Sequence, residues 1–304
     1  MDRENNTIDI KELFSHLWLK KRTIFLLIFL SGIFSIGYSL TLTNEYTAVI
    51  HLTEVKTDKE TSLSSISNET TFGITIPGVL GGGNGLTPEM NKAITMMKTW
   101  DFVDEFIRIN NLEIPLLAGI GWDESSRKLI INNEKYDESS NKWVNENFDI
   151  NHPSVRWELY KKFLDEMRIT GDKNTGIHLL SVTSYSPDLA LEWANEFYKL
   201  VNKKMRAKQL ALIDNNIANL QEQITKNSNA LLREKLYDIQ SRQINTKIII
   251  EASPEYVLEP IGNALTPYER SFPRRTLLVL ALTFVGALIS IIIVIGQKFL
   301  GRHS

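Results

Sequence analysis

The chain has 304 residues, with 34 Lys and Arg against 36 Asp and Glu, for a formal net charge of -2. So close a balance leaves no basic footprint for nucleic acid and no acidic tail, and nucleic-acid binding is set aside. Cysteine is absent, which excludes a disulfide framework and suits an oxidising compartment.

The first pattern in the chain is Ile10, Leu13, Phe14, Leu17 and Trp18 at helical spacing. It reads either as an amphipathic helix on the inner membrane face or as an extension of the span that follows. That span, Thr23–Asn44, is uncharged, and a second uncharged span, Thr276–Gly296, lies near the other end. About 20 apolar residues suffice to cross a bilayer core as a helix. The chain is therefore predicted to be a membrane hairpin holding one large domain, residues 45–275, on a single side. Lys20, Lys21 and Arg22 precede the first span, and no Lys or Arg occurs from Asn44 to Val55, which keeps residues 1–22 cytoplasmic. Arg270, Arg274 and Arg275 before the second span argue the other way, but the first helix usually dominates, so residues 297–304 are placed in the cytoplasm too. A cleaved signal peptide is disfavoured by the acidic residues Asp2, Glu4, Asp9 and Glu12 and by the lack of a small-x-small site near Tyr38–Thr47.

Tyr46–Val55 alternates β-branched residues like a strand. Lys56–Thr71 is polar and Ile74–Gly85, ITIPGVLGGGNG, is glycine-rich, which together read as a loop; no Lys-Ser/Thr follows to make a phosphate cradle. Thr87 and Pro88 open a predicted helix that runs to Asn110 on a face of Met90, Ile94, Met97, Val103, Phe106 and Ile107. From Ile114 to Phe148 no clear period emerges, and a short strand at Lys128–Asn132 is the one element suggested. Pro153–Met167 is helical by the spacing of Val155, Leu159, Phe163, Leu164 and Met167, and Gly176–Thr183 reads as a buried strand.

Ser186 and Pro187 start the longest element, which has no Gly and no internal Pro up to Lys226 and would extend about 60 Å. Leu210, Ile213, Ile217, Leu220 and Ile224 form a seam of two heptads, too short for an isolated coiled coil, so it should pack against something near. After a corner at Asn227–Asn229, Leu231, Leu232, Leu236, Ile239 and Ile248 suggest a returning helix; one continuous bent helix is the alternative. Pro254, Pro260, Pro267 and Pro273 then make a stiff extended run, 254–273, around a strand-like EYVLEP. Ser31, Ser35 and Ser39 in the first span, and Gly286 and Ser290 in the second, present small faces that permit close helix packing.

The search for catalytic chemistry is negative. His16, His51, His152, His178 and His303 are scattered, and no nucleophile elbow, Walker or kinase pattern occurs. Asp123 with Glu124, and Asp137 with Glu138, could serve as acid–base pairs but read as surface charge among Ser, Asn and Lys. No cofactor is expected. Of the tryptophans, Trp157 and Trp193 fall on apolar helical faces and read as core. Trp122 and Trp143, in irregular polar segments, are the candidates for stacking on sugar rings.

Several stretches carry a resemblance: IDIKELFSHLWLKKRTI before the first span, MNKAITMMKTWDFVDEFI, SVTSYSPDLALEWANEFYKLVN, and PYERSFPRRTLLVL into the second span. In that order and topology they resemble the bacterial polysaccharide co-polymerases, the Wzz-type chain length determinants. ITIPGVLGGGNG also resembles a stretch of the larger co-polymerases that carry a tyrosine kinase domain. No Walker motif or Tyr-rich tail follows Gly296, so kinase activity is not implied.

The resemblance implies an α+β fold: two terminal transmembrane helices flanking a periplasmic α/β base, roughly 45–186 and 251–265, with a long projecting helix or helical hairpin over 187–250. It implies a non-enzymatic inner-membrane ring of identical subunits. Such a ring sets the modal length of O-antigen or a related lipid-linked polysaccharide, as part of lipopolysaccharide biosynthesis, beside a Wzy-type polymerase. An adaptor in a capsule or exopolysaccharide export complex, with a separate kinase or outer-membrane channel, shares this architecture. A two-span sensor would need a cytoplasmic output module, for which the predicted tails are too short.

Overall fold

The computed structural model describes residues 17–55, 88–172 and 175–300. The N-terminal amphipathic pattern up to residue 16, the predicted loop from Lys56 to Gly85 and the Thr87 cap lie outside them. In chain order the elements begin with α1 (Lys21–Thr41), β1 (Tyr46–Glu54), α2 (Pro88–Met96), α3 (Trp100–Ile109) and α4 (Glu113–Ala118). Four short strands follow, β2 (Gly119–Asp123), β3 (Lys128–Ile131), β4 (Tyr136–Asp137) and β5 (Lys142–Trp143). Then come α5 (Pro153–Glu166), β6 (Met167–Asp172), β7 (Ile177–Ser184), α6 (Pro187–Lys226), α7 (Ala230–Ala252), β8 (Leu258–Pro260) and α8 (Arg275–Leu300). The fold is mixed, with helices and an antiparallel sheet in one unit, Tyr46–Tyr268, and the two apolar helices α1 and α8 in another, Met1–Glu45 with Glu269–Ser304.

The sheet of the larger unit runs β6-β7-β1-β8. Strand β1 pairs antiparallel with β7 from Tyr46↔Ser184 to Thr53↔Ile177 and with β8 at Leu52↔Pro260. Period-two alternation sends Ala48, Ile50 and Leu52 of β1 and His178, Leu180 and Val182 of β7 to one buried face. Helix α6 lies on these strands, and α3, α5 and α6 close the core through Phe106, Phe163 and Phe197, whose centroids lie 5.0–5.3 Å apart. Each such ring, at 0% exposure, contributes about 2–3 kcal/mol by leaving water.

Two expectations are corrected. The helix predicted over 88–110 is two helices, broken at Met97–Thr99, because Thr99 takes an extended conformation (φ -76°, ψ 147°). The break lets Met90, Ala93 and Met97 and then Phe102, Val103, Phe106 and Ile107 all reach zero or near-zero exposure. The predicted Pro153–Met167 helix stops at Glu166, and Met167 instead opens β6, paired with Val182.

The polar stretch before α5 holds two hairpins with one turn sequence: Asp-Glu-Ser-Ser-Arg-Lys at 123–128 and Asp-Glu-Ser-Ser-Asn-Lys at 137–142. In each, the Asp side chain accepts from the backbone N–H two residues on, Ser125 at 3.0 Å and Ser139 at 2.9 Å. The fifth residue, Arg127 or Asn141, sits at positive φ, 50° and 53°.

Candidate functional site

The candidate surfaces are a helical hairpin with the segment clasped beside it and, in the other unit, an apolar helix pair. Helix α6 starts where Ser186 Oγ accepts from Leu189 N at 3.2 Å with Pro187 in the first turn. It ends at Asn227, and Asn229 caps α7 by accepting from Leu231 N and Leu232 N at 3.0 and 3.3 Å. The element is thus a hairpin. Ile213 and Ile224 are 2% and 3% exposed, and Leu210, Ile217 and Leu220 are half-buried. Polar ties join the two helices: Gln240 Nε2 donates to Gln221 Oε1 at 3.0 Å and Lys247 Nζ to Asp214 Oδ1 at 2.6 Å. Of the apolar residues on α7, Leu236 is half-buried, whereas Leu231, Leu232, Ile239 and Ile248 are exposed.

Below the hairpin, α6 grips the returning chain. Asn202, 3% exposed, uses its whole amide. Oδ1 accepts from Val257 N and Leu258 N at 3.0 and 2.9 Å, and Nδ2 donates to Leu258 O at 2.7 Å and to the Glu255 carboxylate. Arg206 Nη2 donates to the carbonyls of Ser253 and Pro254. Burial pushes the Glu255 carboxyl up against the lowering effects of Asn202 and Arg206. Of the four prolines, Pro254 is exposed, Pro260 ends β8, Pro267 is half-buried and Pro273 is buried after a cis Phe272–Pro273 peptide.

The aspartates of the two acidic pairs serve the hairpin turns. Hydrogen bonds from Ser125 and Ser126 hold Asp123 down to about 2, those from Ser140 and Ser139 lower Asp137, and Glu124 accepts from Tyr46 Oη at 2.9 Å. Trp122 is half-buried in β2, and Trp143 is half-buried between Tyr136 and Phe148, at 5.2 and 4.6 Å. Trp193 is core at 3% exposure, but Trp157 is 51% exposed, stacked on Trp100 at 5.6 Å. The core expectation for Trp157 fails because α5 turns Arg156, Leu159 and Phe163 inward. Arg156, with its side chain 4% exposed, meets Asp104 at 2.6 Å and Glu113 at 3.0 Å. Among the described residues, no group of three or more His, Asp or Glu is placed to hold a metal.

In the other unit, α1 and α8 are each long and apolar enough to cross a bilayer. They pack through small residues. Ser35 Oγ lies 3.2 Å from Thr283 Oγ1, Ser31 Oγ donates to Leu282 O at 3.5 Å, and Ser35, Ser39 and Ser290 are at most 2% exposed. A Cβ added to Gly286 would stand 1.9 Å from Ser31 Oγ, so only glycine fits that crossing. At the end of the pair, Arg275 Nη2 donates to Asn44 Oδ1 at 3.0 Å, and Glu45 N donates to Phe272 O at 2.9 Å. Before α1, Trp18 is 64% exposed, with Lys21 Nζ 4.9 Å from its ring centroid.

Residues 6–108 match the family model described as Wzz, chain length determinant protein. No curated protein matches the chain. Among solved structures, a full-length bacterial polysaccharide co-polymerase is 12% identical and aligns over 97% of this chain and 99% of that chain, at a TM-score of 0.40. The family found over residues 6–108 is the one the sequence resembles.

Proposed function

We propose that the chain is an inner-membrane scaffold that regulates the modal chain length of O-antigen or a related surface polysaccharide made by a Wzy-type polymerase. The observation that carries this reading is the match of residues 6–108 to the chain length determinant family. The two apolar helices fit a two-span anchor. With Lys20, Lys21 and Arg22 held inside, both termini are cytoplasmic and residues 45–275 periplasmic.

On this reading the protein is a regulator and forms no bond. Copies assemble into a ring, with the base at 45–186 and 251–265 and the hairpin at 187–250 as packing surfaces. Leu210, Ile213, Ile217, Leu220 and Ile224 hold the hairpin within or between copies, while the serine and glycine faces of the spans meet each other, a neighbour or the polymerase. Growing lipid-linked polysaccharide passes beside this scaffold, and the half-exposed Trp157 ring, together with Trp122 and Trp143, offers faces for sugar rings.

The test is a gel profile of surface polysaccharide from a deletion strain, with and without the gene restored. Loss of a clustered ladder on deletion and its recovery on restoration is the expected result. A ladder that stays clustered while polymer fails to reach the surface would replace this reading with an export adaptor.

A further inference from the structure

A groove of about 660 Å³ runs along the α1–α8 pair. Its walls are apolar, including Ile28, Leu40, Val279 and Phe284, and at one end it meets Ser39 and Arg275. Ser39 lies near the end of α1 and Arg275 opens α8, so in this antiparallel pair the groove has one polar end and one apolar end. That polar end is only partly satisfied: Arg275 Nη2 donates to Asn44 Oδ1, but Ser39 Oγ and Arg275 Nε are both buried and neither has a hydrogen-bond partner. Buried polar groups are nearly always paired, so two orphans in one groove point to a missing partner. Both atoms are donors, and Arg275 cannot lose its charge. The positive N-terminal end of α8, which Arg275 opens, and the adjacent Arg274 add to the same potential.

We propose that this groove holds one lipid with a phosphate headgroup. Its chain lies along the apolar wall, and its phosphate oxygens accept from the Arg275 guanidinium and Ser39 Oγ after a small rotation of the arginine side chain. A neutral chain alone would leave both donors unpaired, and a free phosphate would leave the apolar wall empty. The groove belongs to the helix pair, so the lipid site is independent of whether the chain regulates polysaccharide length.

The test is native mass spectrometry of the full chain released from dodecyl maltoside micelles. The readout is the fraction of chains retaining one added molecule of dioleoyl phosphatidylglycerol, of dioleoylglycerol, or of inorganic phosphate. Phosphatidylglycerol is expected to be retained, and Arg275→Gln to lower its retention about tenfold, as loss of a charge-assisted contact should. Ser39→Ala, which removes the hydroxyl without adding bulk to the packed face or touching the charge, should lower it as well and serves if Arg275→Gln does not fold. Equal retention of dioleoylglycerol would overturn the headgroup assignment, and retention of inorganic phosphate alone would replace the lipid by a soluble anion. Full retention of phosphatidylglycerol by both variants would place the lipid elsewhere.

Discussion

Asn202 and Leu258 are joined twice, by Asn202 Nδ2 donating to the Leu258 carbonyl at 2.7 Å and by the Leu258 N–H donating to Asn202 Oδ1 at 2.9 Å. Leu258 begins β8, an edge strand of the sheet, whose other side pairs with β1. An edge strand exposes backbone donors and acceptors that need a partner. A side-chain amide from α6 supplies both, so one residue ties the returning chain to the long helix and completes the sheet.

Asn202→Ala should therefore strand the N–H groups of Val257 and Leu258 in a buried site, at a cost on the order of 3 kcal/mol. Asn202→Asp keeps the acceptor but sets a second carboxylate against Glu255 and should also destabilise. Both are read in denaturant unfolding of the full chain in detergent, followed by tryptophan fluorescence. A midpoint equal to wild type for Asn202→Ala would show that the clasp is dispensable.

The parts of the fold legible in the sequence are those with local causes. Helix α6 announces itself by Ser186, Pro187 and the lack of Gly and internal Pro to Lys226, β1 by alternation and β7 by its short apolar run. The break at Thr99 was hidden because the apolar spacing of Met97 and Val103 runs through it without a change of period. The paired hairpins had a signal that local period could not reveal, the repeated Asp-Glu-Ser-Ser turn at 123 and 137. Asn202 and Arg156 were invisible for a different reason. A buried polar residue is explained only by its partners, and those lie 56 residues away for Leu258 and 52 for Asp104.

The helix pair makes a prediction that the cysteine-free sequence renders clean. With Ser35 Oγ and Thr283 Oγ1 3.2 Å apart, the double variant Ser35→Cys, Thr283→Cys should cross-link within one chain on mild oxidation. Adding Gly286→Leu, which forces a side chain into Ser31, should abolish the cross-link. Mobility on a non-reducing gel reads both. A cross-link that survives Gly286→Leu would mean that the spans do not meet through this face.

His178 sets a pH dependence. It is 2% exposed, its Nδ1 has no partner, and burial lowers its pKa below the ordinary 6.5. As pH falls through 6.5, the unfolded chain takes up this proton before the folded one, so the stability of the folded state drops there and is unaffected by this group well above it. His178→Leu, placed opposite Leu52 in the sheet, should match or exceed wild type at pH 7 and remove the part of the decline between pH 7 and 5 that this residue causes. Thermal midpoints across that range compare the two, and parallel profiles would assign the acid sensitivity to other groups.

The hairpin joins stability to the proposed function. Ile213 is 2% exposed at the interface of α6 with its neighbours, Ile217 is half-buried on the same seam, and Leu212, one residue away from Ile213, is 53% exposed. A carboxylate forced into the Ile213 site would be taken out of water, so Ile213→Asp should cost on the order of 3 kcal/mol, and Ile217→Asp less. Leu212→Asp, on the solvent side, should change stability by under about 0.5 kcal/mol. If the hairpin seam supports the scaffold, the first two variants shift or disperse the polysaccharide ladder and the Leu212 variant leaves it clustered. A clustered ladder from an Ile217→Asp protein that is present at wild-type level in the membrane would remove the seam from chain-length control, while the unfolding measurements would still report its part in the fold.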